Sequence, residues 1–546
     1  MGITEFSKRR ARSKVHYLWP DIPAEALRVL ELNGYEPVAY DEAVLSDPVA
    51  LAQTDSFLIV QIKDKPTRIY AQLEKICSAA LPHDCRVYVH PVPLAEDVDR
   101  LRMRKVLVNS LDSLKLRAAG LTADEESRMG RWLGGPSLAP LSPAVYLVER
   151  AGDWAALCSV MHLNPAGVAP NFNLVIEVRN VRGELVDLPE EEKIVLRRAF
   201  ANCSVLKMVE MQNGLSGVAA YRAHAELAQG VLGKWPYEFF VKVGGPENDG
   251  WLKIIREFRK YEANALEYVP FHLGPRLRRE RCALGHRTGV IAGDFVVGAE
   301  SLKNAARDGR ATAAIHNLFS KTISVWQRTQ VSSGEKSLQQ YLHSRFPIAV
   351  PGHREGLITA GGATRDLIAL RALFDTDPSK PVLCGVVHGD LHATNVLVRG
   401  QDAVIIDFER MENDMPLLFD AASLEGGLFV DGFIGDRRTG VELLKSLQPL
   451  YTRKALQGDF NPCHPQDDSQ WFFDCVRPIR MQARELERAP LQYALCLAAI
   501  LLKKSCNDED FSKEATNPRA LPRQEVRALA YVLAESILVA ITSSPP

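Results

Sequence analysis

The stretch PVLCGVVHGDLHATNVLVRGQDAVIIDFER, residues 381–410, decides the fold because its polar residues stand at the ends of apolar runs. The pattern predicts a strand, a polar loop, a second strand, a tight turn and a third strand. Asp390 lies in the polar loop, Asn395 follows five residues later, and Asp407 ends the last apolar run. A hairpin of this kind brings Asn395 and Asp407 to neighbouring strand ends near the loop of Asp390.

The side chains at these three positions predict a magnesium site that works with a phosphate substrate. Mg²⁺ prefers oxygen ligands and keeps coordination positions open for phosphates. Asn395 and Asp407 are therefore the expected metal ligands, and Asp390 is left to orient an attacking hydroxyl and accept its proton. The rival interpretation is a buried hairpin whose acids cap turns, a common use of Asp and Asn.

The motifs HGDLHATN and IDFE, at residues 388–395 and 406–409, resemble those of the aminoglycoside phosphotransferase and choline-kinase-like family. Phe408 and Glu409 follow Asp407 where protein kinases have Phe-Gly, which favours the small-molecule branch of that fold. The resemblance implies an α+β, bilobal protein-kinase-like fold, in which a small β-sheet lobe and a helical lobe hold the nucleotide in a cleft. It also implies a phosphotransferase that uses ATP or GTP with Mg²⁺, a small-molecule acceptor, and Asp390 as the catalytic residue.

Two residues close to these motifs are expected to support the catalytic loop. His388 is a candidate catalytic residue, and we expect it to brace the loop rather than to act as a base. Asp420, in PLLFDAASLE, matches the Asp that this family has at the start of a helix after the metal site. We expect Asp420 to cap that helix and to brace the loop.

Three strand-like runs precede the motifs: SVLKMVEMQ, VAAYRAHAEL and YEFFVKVGG. The first two are joined by a glycine-rich turn whose backbone amides could close over phosphates. An ordinary hairpin loop is the alternative interpretation of this turn. The predicted phosphate-binding residues there are Asn213, Gly214, Ser216 and Gly217.

Lys242 lies in the third run, whose FFVKV resembles the kinase strand that carries the lysine for the α- and β-phosphates. In the following helix, Glu262 and Glu257 compete to pair with this lysine, and the distance to the closing Val-Pro favours Glu262. After the helix, Phe295 and Val297 belong to the expected hinge, residues 295–299, whose backbone would bind the base. Backbone recognition leaves both ATP and GTP open.

The N-terminal part alternates short strands with helices, which predicts a small α/β domain that resembles a flavodoxin or receiver domain. A phosphate-accepting role would require Asp21 or Asp64, and a docking or degenerate sensor domain with a protein partner is the preferred interpretation. The predicted division is an α/β domain at 1–95, a helical linker and adaptor at 96–199, a kinase-like N-lobe at 200–300, and a helical C-lobe at 301–546.

The composition restricts the compartment and the partners. The chain has 66 basic and 67 acidic residues, so it has no global attraction to nucleic acid, which is an unlikely partner. Ten cysteines without a CxxC pair suit reduced thiols in the cytoplasm. The apolar run LQYALCLAAILL at 491–502 is too short to span a membrane.

The acceptor is left open by the sequence. Glu412, Asp414, Asp467 and Asp468 could receive a cationic substrate, although solvated loop charges are the commoner use of such acids. The segment LPEEEKIVLRRAF, residues 188–200, also resembles the approach to kinase-like modules of bacterial ternary-complex systems. The rival function is a catalytically silent nucleotide-binding switch in a bacterial signalling or conflict complex.

Overall fold

The computed structural model describes residues 12–18, 22–61, 66–91, 118–121, 145–148, 154–211, 218–228, 236–329, 332–376, 381–460, 468–507 and 521–542. The chain divides into two compact units. Unit 1 contains residues 1–258 and 277–295, and unit 2 contains residues 259–276 and 296–546. The predicted domain boundaries at residues 95, 199 and 300 stay predictions.

The first sheet of unit 1 is parallel throughout, with the strand order β2-β1-β3-β4-β6-β5. Its strands are β1 (Lys14–Leu18), β2 (Glu36–Ala39), β3 (Thr54–Gln61), β4 (Arg86–Pro91), β5 (Ala118–Leu121) and β6 (Val145–Val148). Its helices are α1 (Ala24–Leu32), α2 (Pro48–Gln53), α3 (Pro66–Ala80) and α4 (Trp154–Leu163).

Alternate residues along the strands of this sheet pack into two separate hydrophobic cores, one on each face. Phe57 and Val87 pack with α3, whereas Leu58 and Tyr88 pack with α1 and α4 on the opposite face. The predicted small α/β domain with a parallel sheet is confirmed. Asp21 and Asp64, the candidates for phosphate acceptance, lie outside the described residues, and the protein partner of this domain stays a prediction.

The second sheet of unit 1 has the order β11-β12-β10-β9-β8-β7 and is antiparallel except for its parallel β7–β8 pair. The adaptor helix α5 packs on one face of this sheet through Val195, Leu196 and Ala199. The three predicted strand runs become β8, β9 and β10. The elements are β7 (Val175–Arg179), α5 (Glu190–Ala199), β8 (Cys203–Glu210), β9 (Val218–Leu227), β10 (Pro236–Gly244), α6 (Gly250–Asn264), β11 (Ala283–Leu284) and β12 (Gly289–Asp294).

Arg198 on α5 joins the two sheets of unit 1 and is 5 % exposed. Its Nη1 donates to the carbonyl oxygens of Pro82 at 2.8 Å and Leu284 at 2.9 Å. Its Nη2 lies 2.9 Å from Oδ2 of Asp84, which belongs to the turn just before the strand β4. One buried guanidinium thus ties a turn of the parallel sheet to the strand β11 of the second sheet.

Unit 2 is mostly helical, with two small three-stranded sheets in the orders β13-β16-β17 and β14-β15-β18. The strands are β13 (Glu300–Ser301), β14 (Ser332–Ser337), β15 (Pro381–Val387), β16 (Val396–Arg399), β17 (Asp402–Ile405) and β18 (Glu412–Pro416). The predicted strand, loop, strand, turn and strand of residues 381–410 are therefore correct. The α+β class predicted for the chain is confirmed.

The helices of unit 2 bury apolar faces against one another and against these strands. They are α7 (Leu302–Arg307), α8 (Thr312–Asn317), α9 (Ser324–Thr329), α10 (Leu338–Leu342), α11 (Gly352–Ala360), α12 (Leu367–Phe374), α13 (Leu418–Gly432), α14 (Gly440–Leu447), α15 (Arg453–Leu456), α16 (Gln470–Glu485), α17 (Gln492–Cys506) and α18 (Arg523–Thr542). Within the ranges that the structure describes, no helix combines the length and apolar character needed to cross a bilayer.

Candidate active site

The loop after β15 depends on the backbone of Gly389. Its φ is +77°, a conformation that favours glycine. A Cβ at this position would also lie 2.1 Å from the carbonyl oxygen of Arg410. The loop and the segment after Asp407 therefore pass so close together that a side chain at position 389 would force one of them to move.

Asp420, in the first turn of α13, clamps the same loop. Its carboxylate accepts the backbone N–H of His388 at 2.7 Å and that of Gly389 at 3.1 Å. Burial raises the pKa of Asp420, against the two backbone bonds, which favour its ionised form. The bracing expected of Asp420 is present, but the expected cap is not, because α13 begins after Leu417 without a side-chain cap.

His388 is a positioning residue in this geometry. Its side chain is fully buried, and its Nε2 donates to the carbonyl oxygen of Ile406 at 2.9 Å. The ring also packs on Phe408, with 5.8 Å between the ring centroids. His388 thus fixes the strand end on either side of Asp407, which fits the expected brace.

Asn395 links the catalytic loop to the hairpin and is 7 % exposed. Its Nδ2 donates to the carbonyl oxygen of Asp390 at 3.0 Å, and its backbone carbonyl oxygen accepts from the N–H of Ile406 at 3.0 Å. Because the amide nitrogen is engaged with a carbonyl, the amide Oδ1 is the atom available to a cation. The two-residue turn of β16 and β17, with Arg399 opposite Asp402, sets this register.

Asp407 has a left-handed backbone, with φ +68° and ψ +72°. A non-glycine residue in that region costs about 1–3 kcal/mol and is found most often at functional sites. The following Phe408 is buried, and its ring packs on Tyr261 at 5.6 Å between centroids. Packing of Phe408 therefore helps to hold Asp407 in this uncommon backbone conformation.

The donor set fits a hard cation. An amide oxygen from Asn395 and a carboxylate from Asp407 stand on paired segments, since Val396 lies opposite Ile405. Oxygen ligands of this kind suit Mg²⁺ that also binds phosphate. Among the described residues, no group of three or more His, Cys, Asp and Glu could hold a metal ion.

In unit 1, Lys242 on β10 forms a buried ion pair with Glu257 on α6. The lysine Nζ donates to both carboxylate oxygens, at 2.7 and 2.8 Å, and the side chains are 13 % and 6 % exposed. The prediction that Glu262 pairs with Lys242 is therefore wrong. Five residues turn a helix by about 140° beyond a full turn, so Glu262 points to another side of α6.

The sequence contains no signal that selects Glu257 over Glu262. With about 3.6 residues per helical turn, Glu262 lies about 40° around α6 from the buried Phe258, whereas Glu257 lies about 100° from it. Both acids therefore flank the apolar face of the helix. Only the contact with Lys242 on β10 identifies Glu257.

The remaining predicted nucleotide contacts are untested. Asn213, Gly214, Ser216 and Gly217 lie outside the described residues. In unit 1, the N–H of Phe295 donates to the carbonyl oxygen of Glu238 at 3.3 Å.

Val297, in unit 2, has a side chain that is 61 % exposed. Its neighbour Ala299 donates its N–H to the carbonyl oxygen of Val296 at 3.3 Å, which closes a turn. The assignment of Phe295 and Val297 to the base stays a prediction.

Two family models match the chain. Residues 277–425 match the phosphotransferase enzyme family, so the region that holds Asp390, Asn395 and Asp407 is phosphotransferase-like. Overlapping residues 363–498 match ternary complex associated domain 9. The predicted resemblance to the aminoglycoside phosphotransferase and choline-kinase-like family, with a ternary-complex-associated module, is confirmed.

Several solved structures resemble the chain at low identity. A thermostable mutant of aminoglycoside phosphotransferase APH(4)-Ia, in a ternary complex with ADP and hygromycin B, is 12% identical with a TM-score of 0.35, over 65% of this chain and 99% of that one. A glucosamine kinase with glucosamine, ADP and inorganic phosphate is 13% identical with a TM-score of 0.29, over 60% and 85%. A choline/ethanolamine kinase family protein from Mesorhizobium loti is 16% identical with a TM-score of 0.22, over 53% and 92%. No curated protein matches the chain.

Proposed function

We propose that the chain is a phosphotransferase that moves the γ-phosphate of ATP or GTP to a hydroxyl of a small molecule. The observation that carries this proposal is the clamped loop of residues 388–395. Asp420 holds its backbone N–H groups, and Asn395 holds the carbonyl of Asp390. Such fixed geometry is what a reaction that depends on positioning requires.

In the proposed step, the acceptor oxygen forms a bond to the γ-phosphorus while the bond from that phosphorus to the β,γ-bridging oxygen breaks. The electron pair of the broken bond leaves with the nucleoside diphosphate. Asp390 accepts the hydroxyl proton and later releases it to water. Asp390 is half-buried, so its carboxylate can meet an acceptor that arrives from solvent.

Asn395 and Asp407 would hold Mg²⁺ through the amide Oδ1 and the carboxylate. Bound there, the metal would neutralise charge on the phosphate oxygens. Lys242 would hold the α- and β-phosphates, and its bidentate bonds to Glu257 fix the ammonium in one position. Preorganised cations of this kind stabilise charge that develops during phosphoryl transfer.

The test uses the full chain and follows nucleotide binding and Mg²⁺-dependent nucleotide consumption with a panel of hydroxyl-bearing metabolites. Asp390→Asn should keep Mg²⁺-nucleotide affinity and lose roughly 10²-fold or more in turnover, because proton transfer is removed. Asp407→Asn should weaken binding only when Mg²⁺ is present. Asp402→Asn, in the same hairpin, is the matched control and should change neither.

Equal turnover by the Asp390→Asn variant and the unsubstituted chain would contradict the proposed role of the loop. Mg²⁺-dependent nucleotide binding without consumption in any mixture would instead favour the silent switch.

A further inference from the structure

The strand β17 leads directly to Asp407 and stands at the edge of its three-stranded sheet, where it pairs with β16 on its inner side. The backbone groups on the outer side of an edge strand need partners from elsewhere in the fold. Two side chains of one helical segment bind this edge and the turn before it. Asn317 Nδ2 donates to the carbonyl oxygen of Gln401 at 2.8 Å, and Thr322 Oγ1 donates to that of Ala403 at 2.9 Å.

These two hydrogen bonds lie in the interior of unit 2. Thr322 and Ala403 are fully buried, and Asn317 is 8 % exposed. A buried carbonyl oxygen that loses its donor costs the free energy of its desolvation. Removing the hydroxyl of Thr322 would therefore leave the Ala403 carbonyl oxygen without this donor in a place that water reaches poorly.

The segment that carries Asn317 and Thr322 contains a π-helical turn, Leu318–Thr322, between the helices α8 and α9. The N–H of Ile323 donates to the carbonyl oxygen of Leu318 at 3.0 Å, five residues back instead of four. In a regular α-helix, two residues five apart point about 140° away from each other. The wider turn reduces this angle, so both side chains reach the same side of the hairpin. Single π-helical turns of this kind are found frequently at functional sites.

The backbone between these contacts and Asp407 is also fixed. The N–H of Ile405 donates to the carbonyl oxygen of Leu273 at 3.2 Å, and the N–H of Ile406 donates to that of Asn395 at 3.0 Å. Asp407 follows at once in its left-handed conformation. A shift of β17 along the helical segment would therefore move Asp407 relative to Asn395.

We infer that Asn317 and Thr322 are positioning residues, which fix β17 and thereby the place of the Asp407 carboxylate beside Asn395. This inference rests on the proposed phosphotransferase function, in which Asn395 and Asp407 hold Mg²⁺. Mg²⁺ demands near-ideal octahedral geometry at short distances, so a small displacement of one ligand weakens its binding. Thr322 acts on the site only through the strand.

The test measures the Kd of ADP for the full chain over a range of Mg²⁺ concentrations, so that metal-dependent binding is read apart from catalysis. Thr322→Val keeps the shape of the side chain and removes its hydroxyl. It should raise the Mg²⁺ concentration that half-maximally tightens ADP binding about tenfold. The Kd of ADP without Mg²⁺ should stay unchanged. Asn317→Leu should act in the same direction, and it decides the question if Thr322→Val does not fold.

Two further variants separate positioning from packing. Thr322→Ser keeps the hydroxyl and should stay within about threefold of the unsubstituted chain. Ser324→Ala is the matched control, because the buried hydroxyl of Ser324 donates to the carbonyl oxygen of Ser320 in its own helical segment, at 2.8 Å. In the metal-free chain, hydrogen exchange of the amides of Ile405 and Ile406 should be faster in Thr322→Val and unchanged in Ser324→Ala.

A Mg²⁺ requirement that neither Thr322→Val nor Asn317→Leu moves would overturn the positioning inference and leave the phosphotransferase proposal standing. An equal loss of ADP affinity with and without Mg²⁺ would do the same, because it would show a structural role alone. If the unsubstituted chain bound ADP equally well with and without Mg²⁺, the proposed metal site and this inference would both be wrong.

Discussion

The ion pair of Lys242 and Glu257 gives the sharpest prediction, because an exposed glutamate nearby in the chain, Glu267, serves as its control. Glu257→Gln keeps one acceptor oxygen for the lysine but removes the counter-charge and one of two bonds, of 2.7 and 2.8 Å. A hydrogen bond to a charged group contributes about 1.5–3 kcal/mol, so we expect the substitution to cost about 2 kcal/mol of nucleotide binding or of transition-state stabilisation. That value corresponds to a roughly 30-fold change in affinity or rate.

The assay is the Kd of Mg²⁺-ATP by equilibrium titration, together with Mg²⁺-dependent ATP consumption. Glu257→Gln should weaken one or both by roughly 30-fold. Glu267→Gln, at an exposed position three residues after the end of α6, should change either by less than about threefold, because surface substitutions cost under about 0.5 kcal/mol. Chemical denaturation of each variant separates lost folding from lost binding. An effect of Glu267→Gln equal to or larger than that of Glu257→Gln would refute the role of the pairing seen in unit 1.

Three further predictions concern the stability of the fold. Gly400→Ala should lower the free energy of unfolding by approximately 1 kcal/mol, the cost of left-handed strain. Gly389→Ala should lower it by clearly more, because of these two positions only 389 would bring the new Cβ against a carbonyl oxygen. Equal urea midpoints for the two variants would contradict the crowding at Gly389. Burial and nearby arginines lower the pKa of His83 to about 4. The unfolded chain therefore binds the proton first as the pH falls, so the free energy of unfolding should decrease by about 3 kcal/mol from pH 6.5 to 4. A His83→Gln variant with the same slope of stability against pH would exclude this residue as the cause. Arg198→Met should lower the free energy of unfolding by roughly 1–3 kcal/mol, because it leaves the buried carbonyl oxygens of Pro82 and Leu284 without their donor while Asp84 keeps its ion pair with Arg86. Arg197→Met, at a half-buried position of the same helix, should cost little in the same denaturant unfolding. Comparable losses in the two variants would refute the link.

The hairpin of β16 and β17 and the loop before it could be predicted from the sequence because their determinants are local. Apolar runs, the turn at Gly400 and the polar residues at the strand ends are all close in the chain, so their spacing fixes which side chains meet. The position of Lys242 on a strand was accessible for the same reason. The choice between Glu257 and Glu262 was not accessible in this way, because both acids flank the apolar face of α6 and only the tertiary structure places Glu257 at Lys242.

By itself, the sequence determined the strands, the motif residues Asp390, Asn395 and Asp407, and the family resemblance that they carry. Only the tertiary structure decided which groups from distant segments neutralise one another. Arg198 meets the turn at Pro82 and pairs with Asp84, although no periodic pattern connects these positions. Such pairs depend on how separate elements pack, and burial makes an unpaired charge costly, so the fold selects partners that local spacing does not specify.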